Sequence, residues 1–502
     1  MRKIGLACAL LLLAGCVGLP RHVIKYRSEA LRSPQSTTLG RIAEESAEGI
    51  PPNLSGIHLL TSGEEAFDSW IALADRAERT LDIQYYIIHE DESSRTLLRH
   101  VRAAADRGVR VRVLVDDLNT AGEDRRFMHL EQHANIDVRV FNPFPGGRSA
   151  TWSRILTSIS DIPRINHRMH NKLFVADNAL AITGGRNLGD EYFTRDKRSN
   201  FIDLDVVAVG PIVPQLSASF DAFWNSKYSY PISSLASPVP AEAPSPPTLD
   251  ESASTEEGNW LARELDVHEL QLTWVAATVL ADQTGKIASE GAPDDVTMAK
   301  NIAALMRSAQ QEVIVISPYF VPGEAGLALI QELTERGVHI RILTNSLAST
   351  DSPLVHNGYA RYRVPLLKLG VELSEVRPKL GQKRRRFHPF RSSYASLHAK
   401  ALVIDQKTVF IGSMNMDRRS ARLNSELGLV IRSPEIASQV TSLLDDISAD
   451  GSYQLSLDPH DRIVWSSGEP GDERTWRKDP ETTRLQRFML DLLAPFAPEE
   501  LL

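Results

Sequence analysis

Residues 107–114 and 336–343 of this chain are versions of one another. Arg107-Gly108-Val109-Arg110-Val111-Arg112-Val113-Leu114 aligns with Arg336-Gly337-Val338-His339-Ile340-Arg341-Ile342-Leu343 at an offset of 229. The surrounding pattern repeats as well. Periodicity predicts a helix over Ala66–Ala77, a strand over Leu81–Ile87, a helix over Ser94–Arg107 and a buried strand over Val109–Val115. The second copy predicts helix Ala299–Ala309, strand Val313–Ile316, helix Gly326–Arg336 and strand Val338–Leu343. A helix closed by Gly and followed by a buried strand is the pattern of α/β units on a largely parallel sheet. A repeat of this length predicts two equivalent lobes rather than unrelated domains.

A polar constellation travels with the scaffold. His170-Asn171-Lys172-Leu173-Phe174-Val175-Ala176-Asp177 recurs 228 residues later as His398-Ala399-Lys400-Ala401-Leu402-Val403-Ile404-Asp405. Each copy is followed by a small-residue turn, Gly184-Gly185-Arg186-Asn187 and Gly412-Ser413-Met414-Asn415. In a strand, residues i and i+2 share a face, so each His projects beside its Lys while the apolar residues run into a core. Two lysines and two asparagines converging on one phosphate would supply the charge stabilisation and positioning that phosphoryl transfer requires. A histidine can serve there as nucleophile or proton carrier near neutral pH. Neither half holds a full set, which predicts a site between the lobes on a pseudo-twofold axis.

The duplicated H-x-K-x4-D-x6-G-S-x-N pattern resembles the signature of the phospholipase D superfamily, and the likeness runs from about residue 60 to 435. The resemblance implies a mixed β-sheet flanked by helices in each lobe, and a covalent phosphohistidine. One histidine attacks phosphorus and the other handles the leaving and entering hydroxyl protons. The expectation is His170 as nucleophile and His398 as acid/base, an assignment that the symmetry leaves exchangeable. Lys172, Lys400, Asn187 and Asn415 would hold the phosphate, while Asp177 and Asp405 would support the loop. Glu426, 28 residues after His398, stands where the family places a histidine-orienting carboxylate, and Asp203 is its counterpart at an offset of 223. Gly185 departs from the pattern where the second copy has Ser413, which removes a hydroxyl from the first half. The strings Gly184 to Phe193, Phe201 to Asp205 and Leu492 to Leu502 look like those of C-type bacterial cardiolipin synthases. The implied reaction is cardiolipin synthesis from phosphatidylglycerol and a second phospholipid. A hydrolase releasing phosphatidic acid and a nuclease share the same intermediate, and a dead lipid-binding lipoprotein is disfavoured by the intact motifs. No cofactor is expected, and no metal either, because each histidine sits beside a lysine that would repel a cation.

The remainder of the chain predicts placement. Arg2 and Lys3 precede an apolar run, Ile4 to Ala14, that is too short for a stable span and ends in Leu13-Ala14-Gly15-Cys16. This resembles a bacterial lipobox, with residues 1–15 removed and Cys16 acylated as a lipid anchor. The formal charge of −8 would become −10, and no disulfide could form. The expected location is a membrane-anchored lipoprotein facing the periplasm or the cell exterior, with Val17 favouring the outer membrane. Partners would be phospholipid substrates and a membrane surface; an accessory protein stays open. An acidic chain does not attract nucleic acid as a whole, and none is expected. Residues 16–55 read as a spacer, 56–230 as the first lobe and 231–257 as a Pro-rich linker. Residues 258–450 read as the second lobe and 451–502 as a tail with an amphipathic helix. In that helix Leu485, Phe488, Met489, Leu492, Leu493 and Phe496 share one face, which predicts packing on a lobe ahead of membrane insertion. The run Lys383 to Arg386, with Lys379 and Arg391, suits anionic headgroups, a solvated loop or nucleic acid.

Overall fold

A computed structural model describes residues 18–20, 22–148, 153–154, 158, 161–240, 260–288, 297–379, 394–468 and 474–493. In each half the predicted helices force parallel pairing, because a helix between two strands returns the chain to the same edge. Thr80–Tyr85, Arg110–Asp116 and Ile136–Phe141 run parallel, joined by helices Glu92–Asp106 and Asp124–Glu131. Glu312–Ile316, His339–Asn345 and Glu372–Val376 repeat the arrangement. Gly108 and Gly337, at φ +99° and +82°, end the preceding helices in the left-handed region that glycine enters without cost.

Antiparallel strands complete each sheet. Leu173–Ala176 adds to Thr80–Tyr85, followed outward by Leu180–Gly184, Asp205–Val209 and Ser55–Leu60. The second half adds Ala401–Ile404, Thr408–Gly412, Leu427–Arg432 and Thr273–Ala281 in the same order. Ser55–Ile57 then pairs antiparallel with Thr273–Val275, so the two sheets join edge to edge about a pseudo-twofold axis. The result is the expected mixed α/β fold of two repeated lobes.

Strand alternation separates the cores. Phe174 and Ala176 face an outer core with helices Gly63–Arg76 and Glu92–Asp106, whereas Leu173 and Val175 face inward. Leu402 and Ile404 likewise face the outer core of the second half, and Ala401 and Val403 face inward. The inward faces share one core, filled by Phe220, Phe223 and Trp224 from helix Ile212–Trp224 and Ile436, Val440 and Leu444 from helix Pro434–Gly451. Hydrophobic burial across this shared core holds the lobes as one body.

Three of the predicted boundaries are corrected. The stretch read as a spacer contains helix Thr38–Ser46, capped by Thr37 Oγ1 and burying Leu39 and Ile42. Upstream of it, Ser28 accepts from Arg112 and the Ala30 amide donates to Asp221. Two apolar residues in a short helix are too weak a periodic signal to read from sequence. The start of the linker is also folded: Ser229–Pro231 pairs with the first sheet and Ile232 is buried. The tail continues the second sheet through Ser452–Leu457, Ile463–Ser467 and Arg474–Trp476 before helix Arg484–Leu493. Cys16, Lys383 to Arg386 and Arg391 lie outside the described residues. Among the described residues no helix is long and apolar enough to cross a membrane.

Candidate active site

Each His-x-Lys segment lies in the step between two strands rather than inside one, a correction to the sequence reading. His170 to Lys172 separate Arg168–Met169 from Leu173–Ala176, and His398 to Lys400 separate Tyr394–Leu397 from Ala401–Ile404. The reason lies in the partner of each leading strand, which belongs to the other half. Arg168–Met169 runs parallel to Asn424–Ser425, and Tyr394–Leu397 runs parallel to Ser199–Ile202.

Register then decides which carboxylate meets which histidine. Met169 is level with Ser425 and Leu397 with Ile202, so the next residues are His170 beside Glu426 and His398 beside Asp203. His170 Nδ1 lies 2.9 Å from Glu426 Oε2, and His398 Nδ1 lies 2.5 Å from Asp203 Oδ2. The backbone holds both crossings: His170 N donates to Ser425 O at 2.9 Å and His398 N to Ile202 O at 2.8 Å. Each half therefore orients the histidine of the other.

The site is buried. His170 and His398 are 6% and 5% exposed, and Lys172, Lys400, Asp203 and Glu426 are buried as deeply. Burial, with the nearby lysines, lowers His170 to about 4 even against the pull of Glu426, so its imidazole is neutral. Burial also lowers His398, with Lys400 adding to the effect. Lys172 is driven down to about 7 by burial and repulsion from Lys400. Lys400 is driven to about 8 by burial against the attraction of Asp203. Burial opposes the charge on Asp203, yet His398 and Lys400 outweigh it and hold the carboxyl at about 2. Two cations that repel one another in a buried cleft form a receptor waiting for an anion.

The lysines are fixed locally. Lys172 Nζ donates to His170 O at 2.8 Å, and Lys400 Nζ lies 3.0 Å from His398 Nδ1 while also reaching His398 O. Asn187 is buried in the first half, accepting from Ile87 N at 3.3 Å and donating to Tyr192 OH at 3.0 Å. Asn415 Oδ1 is buried without a hydrogen-bond partner. Asp177 and Asp405 do not join the cluster. They sit at the far ends of the strands, in turns at φ +53° and +51°, and accept backbone amides. Asp177 takes Glu78 N, Arg79 N and Thr80 N at 2.8–2.9 Å, and Asp405 takes Gln311 N and Glu312 N at 2.7 and 2.9 Å.

The missing hydroxyl at Gly185 has a steric cause. A Cβ there would lie 2.0 Å from Asp203 Oδ1. Glu426 is longer by one methylene, so its stem stands back and leaves room for Ser413, whose hydroxyl donates to Glu426 Oε2. Glycine with Asp and serine with Glu are two solutions to the same packing problem.

Sequence reasoning gave no role to the aromatic frame of the two histidines. Tyr86 meets the His170 ring edge-on at 4.9 Å, and Tyr192 and Phe201 flank His398 at 5.1 and 5.0 Å. Tyr319 donates to Asp351 at 2.6 Å, and the Asp351 charge acts on both His398 and Lys400. Tyr86, Tyr319 and Asp351 lie on loops outside the motifs, where spacing carries no signal, whereas Tyr192 sits in the 3-10 helix Asp190–Phe193 and Phe201 in strand Ser199–Ile202. Tyr86 and Tyr319 do follow the equivalent parallel strands of the two halves.

Comparison with known proteins agrees with this geometry. The family model described as "Cardiolipin synthase, PLD-like domain" matches residues 70–224 and 302–447. Cardiolipin synthase C of Escherichia coli (strain K12) is 39% identical over 465 residues, covering 90% of this chain and 97% of that protein. Cardiolipin synthase A of Pseudomonas fluorescens (strain SBW25) is 27% identical over 424 residues, covering 84% and 74%. Among solved structures, phosphatidylserine synthase of Haemophilus influenzae Rd KW20 superimposes with a TM-score of 0.57 at 15% identity. It covers 92% of this chain and 100% of that one, a likeness of fold. With both segments of the family model on the two lobes and both motifs in the cleft between them, the chain belongs to the phospholipase D-like cardiolipin synthase family.

Proposed function

We propose that this enzyme is a phosphatidyltransferase that joins two phospholipids, making cardiolipin from phosphatidylglycerol and a second phospholipid through a phosphohistidine. The observation that carries the reading is the crossed pair of buried His–carboxylate contacts around two charge-starved lysines. The similarity to cardiolipin synthase C supports the same reaction class.

His170 is neutral, and with its Nδ1–H held by Glu426 it presents the Nε2 lone pair to phosphorus. Attack forms the N–P bond and breaks the P–O bond to the glycerol headgroup. His398 protonates that departing oxygen, and the ionised Asp203 at 2.5 Å stabilises the imidazolium form from which the proton comes. The acceptor hydroxyl then gives its proton to His398 and attacks phosphorus, breaking the N–P bond and freeing His170. Lys172 and Lys400 bind the phosphate oxygens throughout, with Asn187 and Asn415 beside them. The tighter carboxylate contact at His398 suits it to carry the proton. Water in the acceptor position would give phosphatidic acid, so burial of the site favours transfer.

Phosphatidylglycerol vesicles, with and without phosphatidylethanolamine, test the reaction when products are read by mass spectrometry. Cardiolipin from the wild type and none from His170→Ala or His398→Ala is the expected result. Phosphatidic acid as the main product would make the enzyme a hydrolase.

We further propose that Cys16 is acylated and anchors the enzyme to a membrane facing the periplasm or exterior. The lipobox-like Leu13-Ala14-Gly15-Cys16 supports this. Metabolic labelling with a fatty acid should mark the wild type and not Cys16→Ser.

A further inference from the structure

The C-terminal helix Arg484–Leu493 turns its apolar face away from the protein. Leu485, Phe488, Met489 and Leu492 are 68%, 62%, 43% and 53% exposed. Their spacing of i, i+3, i+4 and i+7 makes them one continuous stripe. Ten large hydrophobic residues are exposed among the described residues, and these four are on one helix. The sequence expectation that this face packs on a lobe is therefore corrected for these four residues; Phe496 and the side chain of Leu493 lie outside the described residues.

Polar contacts fix the start of the helix. Thr483 and Gln486 cap its start reciprocally: Gln486 N donates to Thr483 Oγ1 at 3.1 Å and Thr483 N donates to Gln486 Oε1 at 2.8 Å. Arg487, on the other face, donates to Thr482 O at 2.9 Å. The approach to the helix is tied down by part-buried polar contacts, Arg363 to Asp479 at 2.9 Å and Tyr453 to Glu481 at 2.7 Å. Asp479 is half-buried, and Glu481, though exposed, accepts from Tyr453; Arg474, Arg477, Lys478 and Arg484 are exposed, so cations outnumber acids at this face among the described residues. An apolar stripe beside outward cations is complementary to an anionic lipid surface.

One helix links this face to the neighbourhood of the active site. Helix Arg484–Leu493 packs on helix Pro353–Ala360, whose Leu354 is itself exposed. That helix begins two residues after Asp351, the carboxylate that holds Tyr319 and acts on His398 and Lys400. Four side chains on ten residues fall short of the roughly 800 Å² per partner that a stable protein interface buries. Shallow insertion, about 5–10 Å into the headgroup boundary, needs no such area.

We infer that helix Arg484–Leu493 docks the enzyme on an anionic phospholipid bilayer, with the mouth of the active site facing the lipid it draws upon. The inference rests on the phosphatidyltransferase reading for its benefit, but its contact with lipid can be read without turnover. In the full chain carrying Cys8→Ser and Cys16→Ser, a bimane probe is attached at Phe488→Cys, or at Lys407→Cys as control. Lys407 is exposed and lies at the end of strand Ala401–Ile404 remote from His398. Phosphatidylglycerol vesicles bearing nitroxide-labelled acyl chains should quench the probe at 488 several-fold more than at 407. Equal quenching at the two positions, or protection at 488 with a doubled molecular mass, would overturn the inference in favour of another docking face or a second copy. In a second arm, Leu485→Glu/Phe488→Glu should lower transfer from vesicle phosphatidylglycerol at least tenfold and leave transfer from monomeric short-chain phosphatidylglycerol within twofold. Equal loss on both substrates would make the helix structural and overturn docking. Quenching of the probe at 488, with no transfer by the wild type, would sink the reaction and keep the docking face.

Discussion

At the scale of single residues, the site is governed by what burial does to charge. Lys172 and Lys400 hold protons only up to about 7 and 8 in the free enzyme, where an exposed lysine would keep its charge near 10.5. Because their folded values are depressed, both are charged below about 7 and lose charge as pH rises. A phosphodiester is anionic throughout, so kcat/KM on a soluble phosphodiester should decline as pH climbs from about 7 past 8. A profile flat to pH 9 would mean that the lysines keep their protons before substrate arrives. Gly185 makes a sharper prediction, since a Cβ would strike Asp203 Oδ1 at 2.0 Å. Gly185→Ala should displace that carboxylate from His398 and lower kcat on the order of 100-fold, about 2.7 kcal/mol in the barrier. The fold should survive, as read by an unchanged circular dichroism spectrum. The opposite-half substitution Ser413→Gly meets no such clash and should cost far less in steady-state kinetics.

At the scale of elements, the short leading strands do the positioning, and each is clamped from the middle parallel strand of its own half. Asp116 ends strand Arg110–Asp116 and accepts from Met169 N at 2.9 Å, one residue before His170. Asn345 ends strand His339–Asn345, accepts from Leu397 N at 2.8 Å and donates to Leu397 O at 2.9 Å, one residue before His398. The two clamps are 229 residues apart, the same offset as the repeat. Asn345→Ala removes both bonds from a buried backbone, which costs about 1–3 kcal/mol. Kinetics should show kcat falling more than KM rises, because the loss acts on the placing of His398; equal changes in a urea-stable protein would argue against a positioning role.

At the scale of the whole molecule, catalysis is a property of the pair of lobes. Glu426 orients His170 and Asp203 orients His398, so neither half contains a histidine with its own carboxylate in place. Residues 1–240 and residues 260–502, expressed apart, should each be inactive on lipid. Expressed together they should regain activity, because the inward faces share a core and Ser55–Ile57 pairs with Thr273–Val275. Activity in one half alone, measured by lipid product formation, would contradict the crossed arrangement.

Much of this was legible in the sequence because it rests on local spacing. The repeat, the alternation of strand and helix, and the His, Lys and Asn positions follow from periodicity and from motifs that recur in register, and the carboxylates Asp203 and Glu426 from the family resemblance. Helix boundaries missed by a few residues, as at Gly323–Glu335 against the expected Gly326–Arg336, since caps and the first turn carry weak signals. Tertiary structure alone decided the rest. Which carboxylate serves which histidine depends on strands exchanged between lobes, and sequence distance says nothing about that register. Gly185 could be read as a gap in the motif, but only the approach of Asp203 explains it. Leu39 and Ile42 became core, and Leu485 and Phe488 became surface, although all four are apolar residues on amphipathic helices. Periodicity states that a helix has an apolar face; what covers that face is set by the neighbours that folding brings to it.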